Sequence, residues 1–454
     1  MSNEATGTGV IVLAAGKGTR MKSRLPKVLH PVCGVPMIGH VIAAAERLRP
    51  DRIAVVVGHG AEEVQAAVTS SRVTFVEQPE LLGTADAVRR CQDALAGCRD
   101  IVVLNGDSPL VQPEMLQALT EARGKAPMAF GTHPAEDRGG FGRVDRDEQG
   151  RVRGIVERAD GPGGTTERNA GQYGFDAAWL WEQLPKIELS DKGEYYLTAL
   201  PRFAYDAGSP AKAVTVAEED VLGIDNRVVL AEAERIMRRR ILERHMLDGV
   251  TIVDPATTYI DASVTIESDV TILPNTTLSG TTHVRTGSLV GPGTTLRNSR
   301  LGEECTVTQS VIEESTLSDR VHAGPYAHVR GQSTIAEDCH LGNYAEVNRS
   351  RIGRDVNMHH FSYVGDAEVG DGSNIAAGII TCNFDGEAKH KTVIGRNVLL
   401  GSDTMLVAPV TIGDNASTGA GSVVTKDVPA GGRVVGVPAR AMATRRPPEN
   451  PGGS

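Results

Sequence analysis

Aromatic side chains are scarce, at 4% of 454 residues with only two tryptophans, while glycines number 51. That pairing is unusual for a chain folded throughout as a compact α/β enzyme, and it points to a glycine-rich repetitive part. No apolar stretch approaches the roughly 20 residues of a membrane-spanning helix. The first residues, MSNEATGTG, carry neither the basic nor the apolar segment of a secretion signal. Six cysteines (Cys33, Cys91, Cys98, Cys305, Cys339 and Cys382) fall at no metal-ligand spacing. They read as reduced thiols used in packing, so the expected location is cytoplasmic and the membrane is not an expected partner. Positive charge is also short: 47 Lys and Arg stand against 57 Asp and Glu, for a net charge of -10. The balance argues against nucleic acid as a partner and leaves each basic cluster to be explained locally.

The length suggests two or more domains. In the first half, short apolar runs at 10–13, 53–57, 73–76 and 101–104 alternate with helical patterns at 37–48, 62–68 and 85–95. Such alternation predicts a mostly parallel sheet with helices on both faces and ligands at the carboxyl ends of its strands. A longer helical pattern covers 228–248, with Leu230, Ala233, Met237 and Ile241 on one stripe, three consecutive arginines on its polar face and Gly249 as a stop.

Beyond it the period becomes six. Ile394, Leu400, Leu406, Ile412, Thr418 and Val424 keep phase for six rows. An earlier block runs Ile335, Leu341, Val347, Ile352, Met358, Val364, Val369 and Ile375, with two rungs one residue short. An aliphatic hexapeptide period predicts a parallel β-helix with three short faces per coil. Residues 382–393 fit no rung and are expected to loop out. The divisions expected are therefore 1–227, a linker helix 228–248, a β-helix 249–440 and a disordered tail 441–454.

Two segments at strand ends carry chemistry. LAAGKGTRM, residues 13–21, follows an apolar run directly. Its spacing is neither that of a P-loop nor that of a dinucleotide fold. Gly16 and Gly18 nonetheless allow close approach of backbone N–H groups to an anion, and Lys17 and Arg20 add charge for phosphate oxygens. The plainer alternative is a turn with a solvated basic patch. LNGDSPL, residues 104–110, places Asp107 at a second strand end, where a turn cap is the plainer alternative to metal binding.

These segments, with LPKVLH, ELLGTADA, FGRV, GIVE, NAG, GEYYLT, LGNYAEV, VGDAEVGD, NIAAGIITCNFDG and GSDTMLVAPVTIG, recur in order over roughly residues 9–428. The whole resembles the bacterial bifunctional N-acetylglucosamine-1-phosphate uridyltransferase/glucosamine-1-phosphate acetyltransferase family. The resemblance implies a Rossmann-like nucleotidyltransferase domain joined to a left-handed parallel β-helix, assembled as a homotrimer. It also implies UTP, a hexosamine 1-phosphate and acetyl-CoA as partners, with Mg2+ as cofactor and UDP-N-acetylglucosamine as product. In the first half it places Leu13, Gly16, Lys17, Gly18 and Arg20 at the nucleotide phosphates, and Lys27 at the α-phosphate. Gln78, Gly83 and Thr84 match base-reading positions. Gly142, Glu157, Asn169, Tyr196 and Thr198 match sugar-contacting ones. Asp107 and Asp225 match the metal ligands, Asp225 standing where the family has asparagine.

In the second half His360 matches the family's general base, a role suited to imidazole because an ammonium must lose its proton before it can attack. Its neighbour His359 is expected on the opposite side of an extended rung. Arg330, Asn348, Tyr363, Asn374 and Asn383 match acceptor positions, Phe384 follows them where the family has tyrosine, and Lys389, Ser402 and Ala420 match positions near CoA. Two departures bear on the acceptor. Asn348 replaces a lysine that grips phosphate, and Phe384 replaces a tyrosine. Strand alternation would turn Arg349 to the other face, away from Asn348. Three readings of the second half stay open: acetylation of glucosamine 1-phosphate, acyl transfer to a related amino sugar by a paralogue of altered specificity, and a β-helix that serves only as a trimerisation scaffold.

Overall fold

The computed structural model describes residues 6–134, 142–156 and 167–442. Glu157 and the tail from residue 443 lie outside them. Packing divides the chain into two compact units, between Met237 and Arg238.

The first unit is built on a sheet whose central strands are apolar on both faces, as strands covered on both sides must be. The strands of the sheet are β1 (Thr8–Leu13), β2 (Arg52–Val57), β3 (Val73–Glu77), β4 (Asp100–Asn105), β5 (Met128–Pro134), β6 (Arg143–Arg146), β7 (Val152–Val156), β8 (Glu167–Asp176) and β9 (Lys212–Thr215). The order is β9-β5-β8-β4-β1-β2-β3, with β6 and β7 branching from β8. β4, β1, β2 and β3 run parallel, whereas β8 is antiparallel to both β4 and β5. One face of the sheet buries Ile11, Val56, Ile101 and Val103 against Val88, Leu95 and Phe175. The other buries Val10, Val12, Val55 and Leu104 against Ile38, Val41, Ile42 and Leu116. The helices are α1 (Met37–Arg47), α2 (Ala61–Ala67), α3 (Thr84–Arg89), α4 (Pro113–Arg123), α5 (Ala177–Gln183), α6 (Leu200–Asp206) and α7 (Arg227–Leu247). The pattern at 85–95 is not one helix. α3 ends at Arg89, and successive turns keep Cys91 and Leu95 facing the core, which preserves the apolar spacing without the helix.

α7 starts where Asn226 Oδ1 accepts from the N–H groups of Val228 and Val229 at 2.9 and 3.0 Å, a side-chain N-cap. It ends before Gly249, whose φ is +94. Its buried residues are Ala233, Ile236, Ile241, Leu242 and His245, and Arg238 is not on the solvated face, because its guanidinium covers the Tyr259 ring at 4.4 Å.

The second unit is a left-handed parallel β-helix of three sheets with 12, 10 and 9 short strands. All pairings within the coils are parallel, and Val434–Ala441 closes the end antiparallel. One interior column runs Leu278, Leu296, Ile312, Val329, Val347, Val364, Thr381, Leu406 and Val424, every member at most 1% exposed. The short rungs fall at two corners, where Asn348 to Ser350 and Gly365 to Ala367 turn with one residue fewer. The excursion is narrower than 382–393. Ile380–Cys382 and Thr392–Ile394 are strands, and Phe384 and Lys389 pair antiparallel in the loop between them.

Candidate functional site

Leu13 ends β1, and the glycine loop after it is pinned to its neighbours. Ala14 N–H donates to Val56 O at 2.9 Å, His59 N–H to Ala15 O at 3.2 Å and Gly106 N–H to Leu13 O at 2.9 Å. The carboxyl ends of β1, β2 and β4 are thereby tied together. Gly16 and Lys17 stand exposed. Gly18 has φ +57, and a Cβ there would lie 2.5 Å from Lys27 Cβ. Glycine at 18 is what lets the Lys27 stem pass beneath the loop. The Lys27 ammonium pairs with the Asp107 carboxylate, and Arg20 Nη1 pairs with Asp225 Oδ2 at 2.5 Å. Ile224 N–H donates to Asp107 O at 2.9 Å, which brings the segment carrying Asp225 to the end of β4.

Among the described residues no group of three or more His, Cys, Asp or Glu side chains is placed to hold a metal ion by itself. Asp107 and Asp225 are two hard carboxylates whose segments meet at the end of β4. That donor set fits Mg2+ when substrate phosphate oxygens complete its shell.

The opposite end of this site is laced across two segments. Ala85 N–H donates to Tyr195 O at 2.9 Å, Tyr195 N–H to Leu82 O at 2.8 Å, and Leu197 N–H to Thr84 Oγ1 at 3.1 Å. Gly83 has φ +97, and a Cβ would come within 2.5 Å of Tyr195 O, so no other residue fits without shifting the pair. Gln78 is buried and donates through Nε2 to Gly83 O and to Asp86 Oδ2, both at 3.0 Å. Tyr196 and Thr198 follow on the partner segment, half-buried. Asn169 N–H donates to Gly142 O at 2.9 Å. The Asn169 side chain is engaged locally, donating to Tyr173 Oη at 2.7 Å and accepting from Gly171 N–H at 3.1 Å across an irregular stretch of β8.

In the β-helix, Arg330, Asn348 and Tyr363 lie on three neighbouring strands, β10 (His328–Arg330), β11 (Ala345–Asn348) and β12 (Ser362–Gly365), and Asn383 directly follows the next, β13 (Ile380–Cys382). Their register aligns Arg330 with Asn348 and Gly365, and Glu346 with Tyr363 and Ile380. Arg330 Nη2 donates to Glu346 Oε1 at 2.6 Å. Asn348 is 3% exposed.

Arg349 does not turn away from Asn348 as alternation would have it. Its φ is +50, a left-handed corner, so the extended geometry behind that expectation ends with β11. The guanidinium folds back. Nη1 donates to Asn348 Oδ1 at 3.1 Å, while Nε and Nη2 donate to Asp366 Oδ1 and Oδ2 at 2.7 and 2.8 Å. Asn383 Nδ2 donates to Asp366 Oδ2 at 2.5 Å and to Tyr363 Oη at 3.4 Å. Arg349, Tyr363, Asp366 and Asn383 thus form one cluster. The hydrogen bonds from Arg349 hold the Asp366 carboxyl below the usual range against the opposing effect of burial, with Asn383 and the charge of Lys389 adding to them. Neither Asp366 nor Arg349 was among the residues expected at this site, and only a corner geometry in which successive residues share a side would have signalled them.

His360 is exposed at a bend before β12, and His359 beside it is exposed too. The two do not alternate across an extended rung. Their rings are 6.5 Å apart, and His359 packs against His340 at 4.7 Å, which stacks on His322 at 4.9 Å. Burial, then the charges of His359 and His322, push the His340 pKa down. Asn374 is half-buried on its own short strand, and Phe384 and Lys389 are exposed on the excursion. Ser402 and Ala420 are exposed on consecutive coils, where Gly421 N–H donates to Ser402 O at 2.8 Å. Among the described residues no hydrogen bond or ion pair joins His360, Asn374, Ser402 or Ala420 to the Arg349 cluster.

Comparison with known proteins follows the same two halves. Residues 10–197 match the family model of a MobA-like NTP transferase domain. Residues 288–380 match a GlmU-like C-terminal hexapeptide model, and 391–426 match six bacterial transferase hexapeptide repeats. A relative from Listeria monocytogenes serotype 4a (strain HCC23), named bifunctional protein GlmU, is 43% identical over 429 residues, spanning 92% of this chain and 93% of its own. Proteins of the same name from Streptococcus agalactiae serotype V and Streptococcus equi subsp. zooepidemicus are each 42% identical, over 94% of both chains.

Proposed function

The chain belongs to the GlmU family of bifunctional proteins, and from that premise we propose how its residues divide the work. It is a two-site transferase of UDP-N-acetylglucosamine synthesis. The first half moves a uridylyl group from UTP to N-acetylglucosamine 1-phosphate. The second acetylates the amine of glucosamine 1-phosphate, with acetyl-CoA as donor.

In the first half the sugar phosphate attacks the α-phosphorus in line and pyrophosphate leaves, so catalysis is positioning and charge neutralisation. Gly16 and Gly18 N–H groups, Lys17 and Arg20 take the outer phosphates, and Lys27 takes the α-phosphate. Lys27 and Arg20 each rest on a carboxylate, and both are drawn to phosphate oxygens when UTP enters. Asp107 and Asp225, released by that exchange, would hold Mg2+, the cation the family uses, which would neutralise charge on the triphosphate. Gln78, Gly83 and Thr84 hold the base. Gly142, Glu157, Asn169, Tyr196 and Thr198 hold the sugar.

In the second half His360 accepts a proton from the acceptor ammonium, and the freed amine attacks the thioester carbonyl as the CoA thiolate departs. Tyr363, Asn374 and Asn383 orient the sugar and the carbonyl. Arg330, beside Asn348, binds the acceptor phosphate. Lys389, Ser402 and Ala420 line the CoA side, and Phe384 stands next to Asn383 at the acceptor. The enzyme works as a cytoplasmic homotrimer; among the described residues no helix is long and apolar enough to cross a membrane.

The observation that supports the active acetyltransferase most is the set of bonds among Arg349, Asp366, Asn383 and Tyr363, since a scaffold has no use for a partly exposed polar cluster linked across one corner of successive coils. Asn348 favours a second reading, in which the acceptor is a related amino sugar. Thiol release from acetyl-CoA with glucosamine 1-phosphate, measured without UTP, decides. Robust release supports the first reading. Release only with other amino sugars supports the second, and no binding of acetyl-CoA leaves the β-helix a scaffold.

A further inference from the structure

We infer that Asp86 is the positioning residue that sets which base the nucleotidyltransferase half accepts, by fixing the Gln78 carboxamide so that only its oxygen faces the base. The inference rests on the reading of Gln78 as a base contact given above.

Asp86 sits in the first turn of α3 and is 1% exposed. Arg89 Nη2 donates to its Oδ1 at 2.9 Å and Arg90 Nε to its Oδ2 at 2.8 Å. Both arginines reach solvent with the rest of their side chains. Burial works against the ionised carboxylate, but the hydrogen bonds from Arg90, Gln78 and Arg89 and the charge of Arg90 outweigh it and hold the pKa down. Asp86 is therefore a pure acceptor, as is Gly83 O. A carboxamide has two N–H donors, and both go to these two acceptors. Turning the amide over would set Oε1 against a buried carboxylate and a carbonyl at once. The orientation is thus chemically fixed, and Gln78 Oε1 is left to accept; among the described residues no donor hydrogen-bonds it.

An acceptor locked in this way distinguishes pyrimidines. Uracil and thymine carry N3–H and match it. Cytosine presents a bare N3, so lone pair meets lone pair, and Gln78 is unable to adapt by rotating. Selectivity here comes from the repulsive arrangement as much as from the attractive one.

The test is kcat/KM for pyrophosphate release with N-acetylglucosamine 1-phosphate, using UTP, CTP and N3-methyl-UTP. It is run on the full chain and on D86N, Q78A and the double variant, with folding followed by circular dichroism. The wild-type chain is expected to prefer UTP over CTP and over N3-methyl-UTP by about 100-fold. In D86N the UTP:CTP ratio is expected to fall about tenfold, through nucleotide KM and not the KM for the sugar phosphate. In the Q78A background D86N should bring no further fall, the double variant matching Q78A alone, because Asp86 acts through Gln78. A folded D86N with the wild-type ratio overturns the inference, and so does a double variant in which the two losses add. Equal use of CTP or N3-methyl-UTP by the wild-type chain overturns it too, with no variant needed. No pyrophosphate release from UTP at all would instead sink the nucleotidyltransferase reading beneath it.

Discussion

A guanidinium held along one edge keeps its other N–H groups in a fixed direction, which a flexible ammonium does not. Arg349 is held in this way by Asp366, with Asn348 Oδ1 on its far nitrogen. We propose that Arg349 shares the acceptor phosphate with Arg330, so R349A is expected to raise the KM for glucosamine 1-phosphate about tenfold or more, from about 1.5–3 kcal/mol of lost charged hydrogen bonding. The KM for acetyl-CoA should stay level, and steady-state thiol release reads both. Asp366 gives a pH signature. Its native pKa lies below the ordinary value, so its stabilisation is fully present above that value and is lost as pH falls through the native one. The urea-stability gap between wild type and D366N should therefore stay constant down to about pH 5 and close below about pH 4. Nothing in the residue types announced either side chain. Alternation holds within β11 and fails one residue later, where an arginine takes a left-handed φ that composition does not reveal. Asp86 was equally hidden. In sequence it is an acidic residue ahead of two arginines, the pattern of a solvated helix face, and only burial distinguishes it.

At the scale of elements, the hexapeptide rows were legible because each rung repeats one demand, an aliphatic side chain pointing inward, and phase accumulates over many rungs. Leu406 meets that demand with 0% exposure. L406A should cost about 2–5 kcal/mol, seen as an earlier urea transition of the β-helix. α3 is shorter than its apolar spacing for the opposite reason. Turns after Arg89 hold Cys91 and Leu95 on the same side as a helix would, so periodicity does not separate the two. The start of α7 gives another test. Asn226 caps two N–H groups beside Asp225, and N226A should lower stability by about 0.5–2 kcal/mol in thermal melts.

For the molecule as a whole, the cysteines report on packing. All six are free, five of them buried. Burial pushes the Cys91 thiol up to about 12, and raises Cys305 and Cys339 to about 11. A disulfide reagent at about pH 8 should find at most one fast thiol in the native chain, the half-buried Cys382, and all six after guanidinium treatment. The two halves also differed in what sequence exposed: loops at strand ends announce phosphate chemistry by composition, whereas coils place residues side by side that stand 17 or 18 apart in the chain.

The left-handed corner at Arg349 has a consequence for descent. Because 348 and 349 reach the same patch, a cation lost from one position has a successor at the other. A lineage can pass from lysine at 348 to arginine at 349 through an intermediate that carries both, with no step that lacks a cation beside the acceptor. Drift at such a corner leaves a cation at the patch while erasing the motif by which it is recognised.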